Sequence, residues 1–357
     1  MDKYADLKNE CIAIGSLPHK HLDEAISMIK QYNYDIPFCP QMVKFSKNED
    51  MLFQYLENIP DVKFDFISDK IFVDTKSKNF LKYFNEVFED FEVVKNNINS
   101  EKLGKYYISK DFSVAFNSFV DFVKNEKPKY AKTQITGAFT LSVNIYDSEN
   151  QKFCYNKKNV EFLTKLLCLK ALWQIREIKN ASKNTVPIVF IDEPTLSQLD
   201  NEEYKSLSRI EIVDNIKKIS DLIKSNGGIS AIHCCGNCNW SETLRIGLDI
   251  INFDAYTYGD EMNLYIKDLE YFLENGGKIA WGIVPTLNRK ALETITLEDL
   301  SKKFEEVKNI LIQKGLNKNL VENNSLISSS CGCATLSVEL TEKTFKLTKD
   351  LSESLKR

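Results

Sequence analysis

Long apolar runs are missing from this sequence of 357 residues. No stretch approaches the roughly 18–20 consecutive apolar residues that a membrane-spanning helix needs, so we expect no membrane partner. An excess of positive charge is missing as well: 47 Lys and Arg residues stand against 51 Asp and Glu residues, a formal net charge of −4. This balance argues against electrostatic binding to DNA or RNA, and we expect no nucleic-acid partner.

Two further features are absent. Residues 1–10, MDKYADLKNE, are charged and lack the apolar core of a secretory signal peptide. The sequence also has no internal repeat of fixed period and no low-complexity segment. Since 43% of the residues are hydrophobic and 27% are charged, the chain is able to bury a sizeable core. We therefore expect a soluble, cytoplasmic protein of about two average domains, or of one large α/β barrel.

Cysteine, in contrast, is abundant, with nine residues. In the cytosol these side chains stay reduced and serve as thiolates or as small core residues. Four of them are scattered along the chain, which is typical of buried and inert cysteines. The other five lie in two short segments, residues 233–238 and 331–333, and this crowding favours a chemical role.

Short apolar runs that end in small, polar or metal-binding residues recur along the chain. Such runs are typical of parallel strands that are buried on both faces. Amphipathic helical patterns lie between most of them, and the alternation predicts βα units. The predicted strands cover residues 11–16, 36–41, 133–137, 187–193, 229–234, 249–254, 278–284 and 326–331. The predicted helices cover residues 21–32, 160–179, 210–225, 264–275 and 297–314.

Eight strands that alternate with helices predict an α/β fold of the (β/α)8 TIM-barrel type. One connection is too long for a single crossover helix, because about ninety residues separate Gln41 from Thr133. We interpret residues 43–131 as an inserted α+β segment or lid after the second strand, within a single barrel of residues 1–357. A hairpin pattern at residues 62–67 and 70–74 supports this interpretation. The alternative is a separate amino-terminal domain that ends near Lys129, followed by an open α/β sheet.

The strongest chemical signal is the segment His-Cys-Cys-Gly-Asn-Cys at residues 233–238, at the end of a predicted strand. Successive side chains of a strand point to opposite faces, so His233 and Cys235 project together while Cys234 points away. One imidazole and one thiolate at the carboxyl end of a barrel strand suit a borderline-soft cation such as Zn²⁺ in an active site.

Further ligands are available at other strand ends. Cys331 or Cys333, at the end of the last predicted strand, offers a second thiolate, and Asp254 offers an oxygen. Three protein ligands would leave one position for a substrate thiol, as in a catalytic zinc site. Zinc lowers the pKa of a bound thiol, which makes its sulfur a nucleophile at neutral pH.

Other interpretations of the crowded cysteines stay open. A closed structural zinc site with four thiolate ligands and an iron–sulfur cluster are compatible with the same residues, which are Cys235, Cys238, Cys331 and Cys333. Unligated core cysteines are a third interpretation. A redox Cys-x-x-Cys pair is a fourth, although no helix clearly begins after its first cysteine.

Together with three other motifs, this pattern resembles the C-terminal catalytic domain of cobalamin-independent methionine synthase. More broadly, it is similar to the barrels of the zinc methyltransferase and uroporphyrinogen decarboxylase superfamily. The resemblance extends from residue 14 to residue 333 but is concentrated in short motifs. These motifs are Ile14-Gly-Ser-Leu-Pro18, Thr136-Gly-Ala-Phe-Thr140, Ile191-Asp-Glu-Pro194, His233-x-Cys235 and Cys331-Gly332.

The resemblance implies Zn²⁺ as cofactor and assigns residues to two sites. Its metal ligands would be His233, Cys235 and Cys331, with Asp254 in the place of a family Glu. Its substrate site would consist of Ile14, Gly15, Ser16, Gln54, Asp192 and Glu193. Within that site, the resemblance implies that Ser16 and the backbone hold the carboxylate of homocysteine and that Asp192 binds its amino group. Glu193 would face the other way and brace the barrel.

The resemblance also implies an activity, which is methyl transfer to the thiol of homocysteine to give methionine. It leaves the methyl donor open between a folate and a methyl-corrinoid protein. The amino-terminal half of long methionine synthases is missing, and residues 282–286 stand where the family has a histidine. Two alternatives remain: a methyl-corrinoid-dependent methyltransferase for another thiol, and a non-catalytic small-molecule-binding barrel with a structural zinc.

Overall fold

The computed structural model describes residues 4–32, 36–65 and 70–356 of the chain. Within these ranges the strands are β1 Val62–Asp65, β2 Lys70–Val73, β3 Tyr130–Thr136, β4 Ile145–Tyr146, β5 Val186–Asp192, β6 Ile229–Cys234, β7 Ile250–Phe253, β8 Lys278–Val284 and β9 Ser325–Ser329. The helices are α1 Leu22–Tyr32, α2 Phe53–Leu56, α3 Lys78–Val94, α4 Phe116–Glu126, α5 Ala138–Val143, α6 Lys157–Ala181, α7 Arg209–Ser225, α8 Trp240–Arg245, α9 Ala255–Tyr258, α10 Ile266–Glu274, α11 Arg289–Thr294, α12 Leu297–Gln313, α13 Lys318–Asn323 and α14 Val338–Leu355.

A curled six-stranded sheet is the centre of the fold. Its strand order is β3-β5-β6-β7-β8-β9, and every neighbouring pair is parallel. Apart from the half-buried Val186, every residue of these strands is buried, as the continuous apolar runs predict for a parallel sheet covered on both faces. The predicted α/β class is thus confirmed, and so is the parallel order of the last six predicted strands.

The two faces of this sheet belong to different apolar clusters. Val189 and Ile191 of β5 face outward and pack in the large cluster that includes the helices. Ile188 and Phe190, the alternate residues of the same strand, belong to a second cluster inside the curled sheet. The other inner members are Tyr4, Leu7, Ile12, Ile36, Tyr130, Ile229, Ala231, Ile250, Ala280 and Leu326.

The first two predicted strands are not regular strands in the structure. Single parallel bridges join Cys11 to Ile327, Ser16 to Gln41, and Phe38 to Lys132. Pro37 and Pro40 have no backbone N–H, so this segment is unable to donate a continuous ladder of hydrogen bonds. The eight-stranded barrel is therefore confirmed only for its last six strands.

The predicted helices are present with shifted ends. Asn156 accepts hydrogen bonds from two backbone amides at the start of α6, which therefore begins at Lys157 rather than at the predicted residue 160. Thr296 and Asp299 form a reciprocal capping box at the start of α12. The predicted helix at residues 264–275 is shorter, because residues 259–265 form a 3₁₀ turn before α10. None of the described helices is both long and apolar enough to cross a bilayer.

Residues 43–131, the predicted insertion, contain α2, α3, α4 and the β1–β2 hairpin. The hairpin is antiparallel, as predicted, and β4 pairs with β2 in parallel. The predicted strand end at residues 66–67 lies outside the described residues. The segment is held against the large sheet by Tyr55, whose hydroxyl donates to the Gln134 carbonyl over 2.5 Å. That it forms a lid stays a prediction.

Candidate metal centre

A row of polar side chains crosses the inner face of the sheet at its carboxyl end. Asp192 of β5 is the register partner of His233 on β6, and His233 is the partner of Asn252 on β7. Residues that are paired across parallel strands point to the same face. Asp192, His233 and Asn252 are all buried. They lie one row above Phe190, Ala231 and Ile250, at the strand ends where barrels build their sites.

Three side chains near this row converge. The ligand atoms of His233, Cys235 and Cys331 all lie within 4.8 Å of one another. His233 is buried, and the two cysteines are half-buried. Cys235 follows the end of β6 directly, and Cys331 lies in the turn after β9. The chain therefore has a His/Cys/Cys cluster with the geometry to hold a metal ion.

The imidazole of His233 has two different environments. Its Nδ1 is hydrogen-bonded to Oδ1 of Asn252 over 2.5 Å. Its Nε2 is buried and has no hydrogen-bond partner in the structure. A buried nitrogen of this kind is costly unless it finds a partner, and a metal ion beside two sulfurs is a suitable one. The donor set thus fits a borderline-soft cation.

The charges in the cluster are strongly perturbed. The hydrogen bond from Cys331 lowers the pKa of the Cys235 thiol to about 4, against the opposing effect of burial. The same hydrogen bond, with burial, raises the pKa of Cys331 well above its usual value. Burial lowers the pKa of His233, but Cys235 and Asp192 raise it, and the net direction is upward. These opposite shifts favour Cys235 as the thiolate of the pair, and the thiolate is the form that binds a cation.

The turn that carries Cys331 is fixed by its neighbours. The hydroxyl of Thr286 accepts a hydrogen bond from the Cys331 amide over 2.9 Å and donates to the Cys331 carbonyl over 3.0 Å. The missing side chain of Gly282 lets the strands approach, because a Cβ there would lie 2.2 Å from the Phe253 carbonyl oxygen and 2.9 Å from Cα of Ser330. The position of Cys331 is thus fixed by contacts of its own backbone with Thr286.

Asp192 is the polar group next to the cluster. Its Oδ1 is buried and accepts no hydrogen bond in the structure. Burial raises the pKa of its carboxyl group, while Lys132 and His233 oppose that effect. Such a group is stabilised as a carboxylate when a cation binds it. The position agrees with the predicted role in binding an ammonium group, which stays a prediction.

The segment Ile14–Ser16 lies beside the Cys331 turn, as a shared site requires. The Ser16 carbonyl accepts a hydrogen bond from the Cys333 amide over 2.9 Å. A Cβ on Gly332 would lie 2.0 Å from Oγ of Ser16, so a side chain there would displace the Ser16 hydroxyl. Below the segment, Nζ of Lys132 donates to the Ile14 carbonyl and, over 2.8 Å, to Oε1 of Gln134. Substrate contacts of Ile14, Gly15 and Ser16 stay predictions.

Asp254 lies outside the three-residue cluster that the described residues form. Its carboxylate accepts a hydrogen bond from the Thr257 amide over 3.0 Å and so caps α9. Asp254 lies two residues beyond Asn252, and α9 begins directly after it. Asp254 is thus not part of the cluster of His233, Cys235 and Cys331, and an oxygen ligand at Asp254 stays a prediction.

Two other predicted site residues are engaged elsewhere. Gln54 accepts a hydrogen bond from Gln41 over 2.9 Å and donates to the Phe112 carbonyl over 2.8 Å. Glu193 accepts hydrogen bonds from the amides of Phe139 and Thr140 at 3.0 and 2.8 Å. These contacts agree with its predicted bracing role, which stays a prediction. These hydrogen bonds already engage both side chains within the protein. Substrate contacts of Gln54 and Glu193 stay predictions.

The remaining crowded cysteines do not join the cluster. The thiol of Cys234 points to the carbonyls of Pro194 and Gly236, at 3.9 and 3.6 Å. Its hydrogen bond to Cys238 lowers the pKa of Cys234. Burial raises the pKa of Cys333 to about 12, against its hydrogen bonds to Thr341 and Thr344. Among the described residues, no closed four-cysteine site is therefore formed.

Sequence reasoning missed three polar residues around the site: Asn252, Thr286 and Lys132. Asn252 carried a usable signal, because it lies two residues before Asp254 and so on the same face of β7. Thr286 and Lys132 act on backbone groups that are distant in sequence, which strand patterns do not reveal.

In comparisons with known proteins, no family model and no curated protein matches this chain.

Proposed function

We propose that this protein is a zinc-dependent S-methyltransferase that methylates the thiol of homocysteine to give methionine. One observation carries the proposal: three ligands, His233, Cys235 and Cys331, converge beside Asp192, whose buried Oδ1 has no hydrogen-bond partner. Three ligands leave a tetrahedral ion one open position. A thiol at that position and an ammonium group at the carboxylate are the two ends of one small amino acid.

The residues of the cluster would hold a zinc ion with a donor set that occurs in catalytic zinc sites. One imidazole nitrogen and two thiolates are the donor set of several catalytic zinc sites. When bound, zinc keeps a coordinated thiol deprotonated at neutral pH. With a neutral His233, the charges of the two thiolates balance those of a divalent ion. The ammonium group of the substrate would be paired with the carboxylate of Asp192.

The other residues would orient the substrate. Asp192 binds the ammonium group, and this contact restores the ionised state that burial disfavours. The backbone of Gly15 and the hydroxyl of Ser16 hold the carboxylate, next to the Cys331 turn. In the reaction, a sulfur–carbon bond forms and the bond between the methyl carbon and its donor breaks. The electron pair of that bond stays with the donor, and the thiol proton is released to solvent.

The same proposal includes the closed form of the barrel. We infer that residues 11–16 and 38–41 complete a (β/α)8 barrel between β9 and β3. Support comes from the parallel bridges of this region and from two hydrogen bonds, Ile12 N to Ile327 O at 2.9 Å and Cys39 N to Lys132 O at 2.8 Å. Closure brings Ser16 and Cys331 to one rim, which the substrate site requires.

A methyl-transfer assay tests the activity directly. Purified, zinc-loaded protein is incubated with homocysteine and, in separate reactions, methylcobalamin, methyltetrahydrofolate or its polyglutamate. We expect methionine from at least one donor and none from a Cys235→Ser variant. If no donor yields methionine but another thiol is methylated, the acceptor is wrong and the alternative corrinoid enzyme is favoured. No methylated product with any thiol refutes the proposal.

Substitution of Asp192 tests the substrate class. Asp192→Asn removes the charge with little change in volume, so the variant should lose far more affinity for homocysteine than for a simple alkyl thiol. A charged, buried hydrogen-bond partner is typically worth about 1.5–3 kcal/mol, or roughly ten- to hundredfold in affinity. Asp90→Asn is the control, since Asp90 is also a buried aspartate but lies on α3, outside the candidate site. Equal losses for both thiols would remove the ammonium role.

A further inference from the structure

We propose that Asn252 is the positioning residue that presents Nε2 of His233 to the metal. It does so by keeping a proton on Nδ1. The role of this contact in metal binding rests on the proposed function, but the position of the proton does not.

The direction of the Asn252 amide is set by its second partner. Its Nδ2 donates to the backbone carbonyl of Ala280 over 2.8 Å. A carbonyl oxygen only accepts hydrogen bonds, so the NH₂ end of the amide must point to β8. Oδ1 of Asn252, which also only accepts, is therefore turned to Nδ1 of His233 at 2.5 Å.

This arrangement fixes one proton on the imidazole. Two acceptors at 2.5 Å would repel each other, so Nδ1 must carry hydrogen and donate to Asn252. The statement holds for the neutral ring and for the protonated ring, because Nδ1–H is present in both. The opposite neutral tautomer would break this bond and place its proton on Nε2, the nitrogen that lacks a partner beside Cys235 and Cys331.

The choice of an amide over a carboxylate also follows from the surroundings. Metal-binding histidines usually donate their second N–H to a carboxylate, a carbonyl or water. Here a carboxylate at position 252 would direct an oxygen at the Ala280 carbonyl. It would also add a second negative charge to the row that already contains Asp192. Asparagine accepts from His233 without either penalty.

Nitrogen NMR of histidine tests the proton position without any assay of activity. The chain has three histidines, so ¹⁵N labelling gives few signals, and a His233→Gln spectrum assigns the site. The metal-free protein is measured at a pH where the ring is neutral. We expect a protonated Nδ1 and an unprotonated Nε2 in the wild type. In Asn252→Leu, we expect this tautomer to lose its dominance. Asn252→Asp keeps an acceptor and should retain Nδ1–H.

Zinc affinity, measured by competition with a chelator, gives the second readout. Loss of such outer partners typically weakens metal binding about 10–100-fold, and we expect that range for Asn252→Leu, with Asn252→Asp closer to the wild type. Thermal unfolding of the metal-free variants checks that both are folded. A wild-type ring with hydrogen on Nε2, or an unchanged zinc affinity in a folded Asn252→Leu, overturns the inference. If the wild type has the expected tautomer, loses it in Asn252→Leu and yet binds no zinc, the proton assignment stands and the proposed function fails.

Discussion

The inner face of the curled sheet has two rows with opposite chemistry, built from the same strands two residues apart. The lower row contains Phe190, Ala231 and Ile250, which pack in the inner apolar cluster. The upper row contains Asp192, His233 and Asn252. Only the position along the strand differs. A step of two residues toward the carboxyl end therefore takes the chain from core to candidate site.

The rows also differ in how well their groups are satisfied. Oδ1 of Asp192 and Nε2 of His233 in the upper row are buried without a hydrogen-bond partner. Unpartnered polar groups of this kind cost about 1–3 kcal/mol each, so the upper row is held at the expense of stability. The lower row gains stability from apolar burial. The comparison predicts that stability and metal binding are separable by mutation.

Truncation in the lower row should have the largest effect. We expect Phe190→Ala to destabilise the fold by about 3–5 kcal/mol, because it opens a cavity inside the sheet and removes the ring 4.7 Å from the Lys132 ammonium. Chemical denaturation measures this loss, and Phe190→Leu should lose less. The zinc affinity of the folded variant should remain that of the wild type. A parallel fall in both quantities would show that the two rows are not independent.

Removal of a predicted metal ligand should weaken zinc binding and leave the stability of the metal-free protein unchanged. We expect Cys235→Ser to weaken zinc binding more than about a hundredfold, beyond the range of outer partners, while the metal-free protein unfolds at the wild-type temperature. Cys333→Ser is the matched control, because this cysteine lies in the same turn region but outside the cluster. If Cys235→Ser is unfolded, the metal site is structural rather than catalytic.

A buried lysine outside the candidate site tests whether unpartnered polar groups lower the stability of this fold. Nζ of Lys170 on α6 is buried without a partner, and burial lowers the pKa of this group to about 8. We expect Lys170→Met to stabilise the fold by about 1–2 kcal/mol, because methionine fills similar space without a buried ammonium group. Lys165→Met on the same helix is the control, and it should give no gain because Lys165 pairs with Glu92 at 3.3 Å.

The pH dependence of the free energy of unfolding gives a second test of the prediction for Lys170. Between about pH 8 and its ordinary pKa of 10.5, Lys170 holds fewer protons in the folded than in the unfolded chain. Wild-type stability should therefore gain from this group as the pH rises through that window. The advantage of Lys170→Met should be largest below pH 8 and shrink toward pH 10. A constant advantage would contradict the low pKa.

The smallest effect is expected at Thr286. Thr286→Val removes the hydroxyl that holds both backbone groups of Cys331, and we expect zinc binding to weaken about tenfold. Thr286→Ser keeps the hydroxyl and should bind zinc like the wild type. Chelator competition measures both variants. Equal affinities for the serine and valine variants would show that the hydroxyl does not position Cys331.

Much of this arrangement was predictable from local patterns. The period of two along β6 places His233 and Cys235 on one side, and the parallel topology brings the turn after β9 to the same end of the sheet. Strand patterns alone left the choice between Cys331 and Cys333 open, because it depends on a turn, and only the family resemblance favoured Cys331. In that turn the Cys333 amide bonds Ser16, and the Cys333 thiol turns to the threonines of α14.

Two differences between the predicted and the observed arrangement have simple physical causes. Asp254 has the right residue type at the right strand end, but the start of α9 directly after it engages the carboxylate as a cap. The second predicted strand, residues 36–41, has the right apolar pattern, but Pro37 and Pro40 interrupt the donors of the ladder. Both effects depend on which backbone amides are free, and apolar periodicity carries no information about them.

X-ray absorption at the zinc edge tests the central claim most directly. For the zinc-loaded protein, we predict two sulfur ligands at about 2.3 Å and one histidine nitrogen at about 2.0–2.1 Å. Addition of homocysteine should add a third sulfur in place of a light-atom ligand. Four sulfur ligands before the thiol is added, or an unchanged spectrum after it, would contradict a site formed by His233, Cys235 and Cys331 with a position open to substrate.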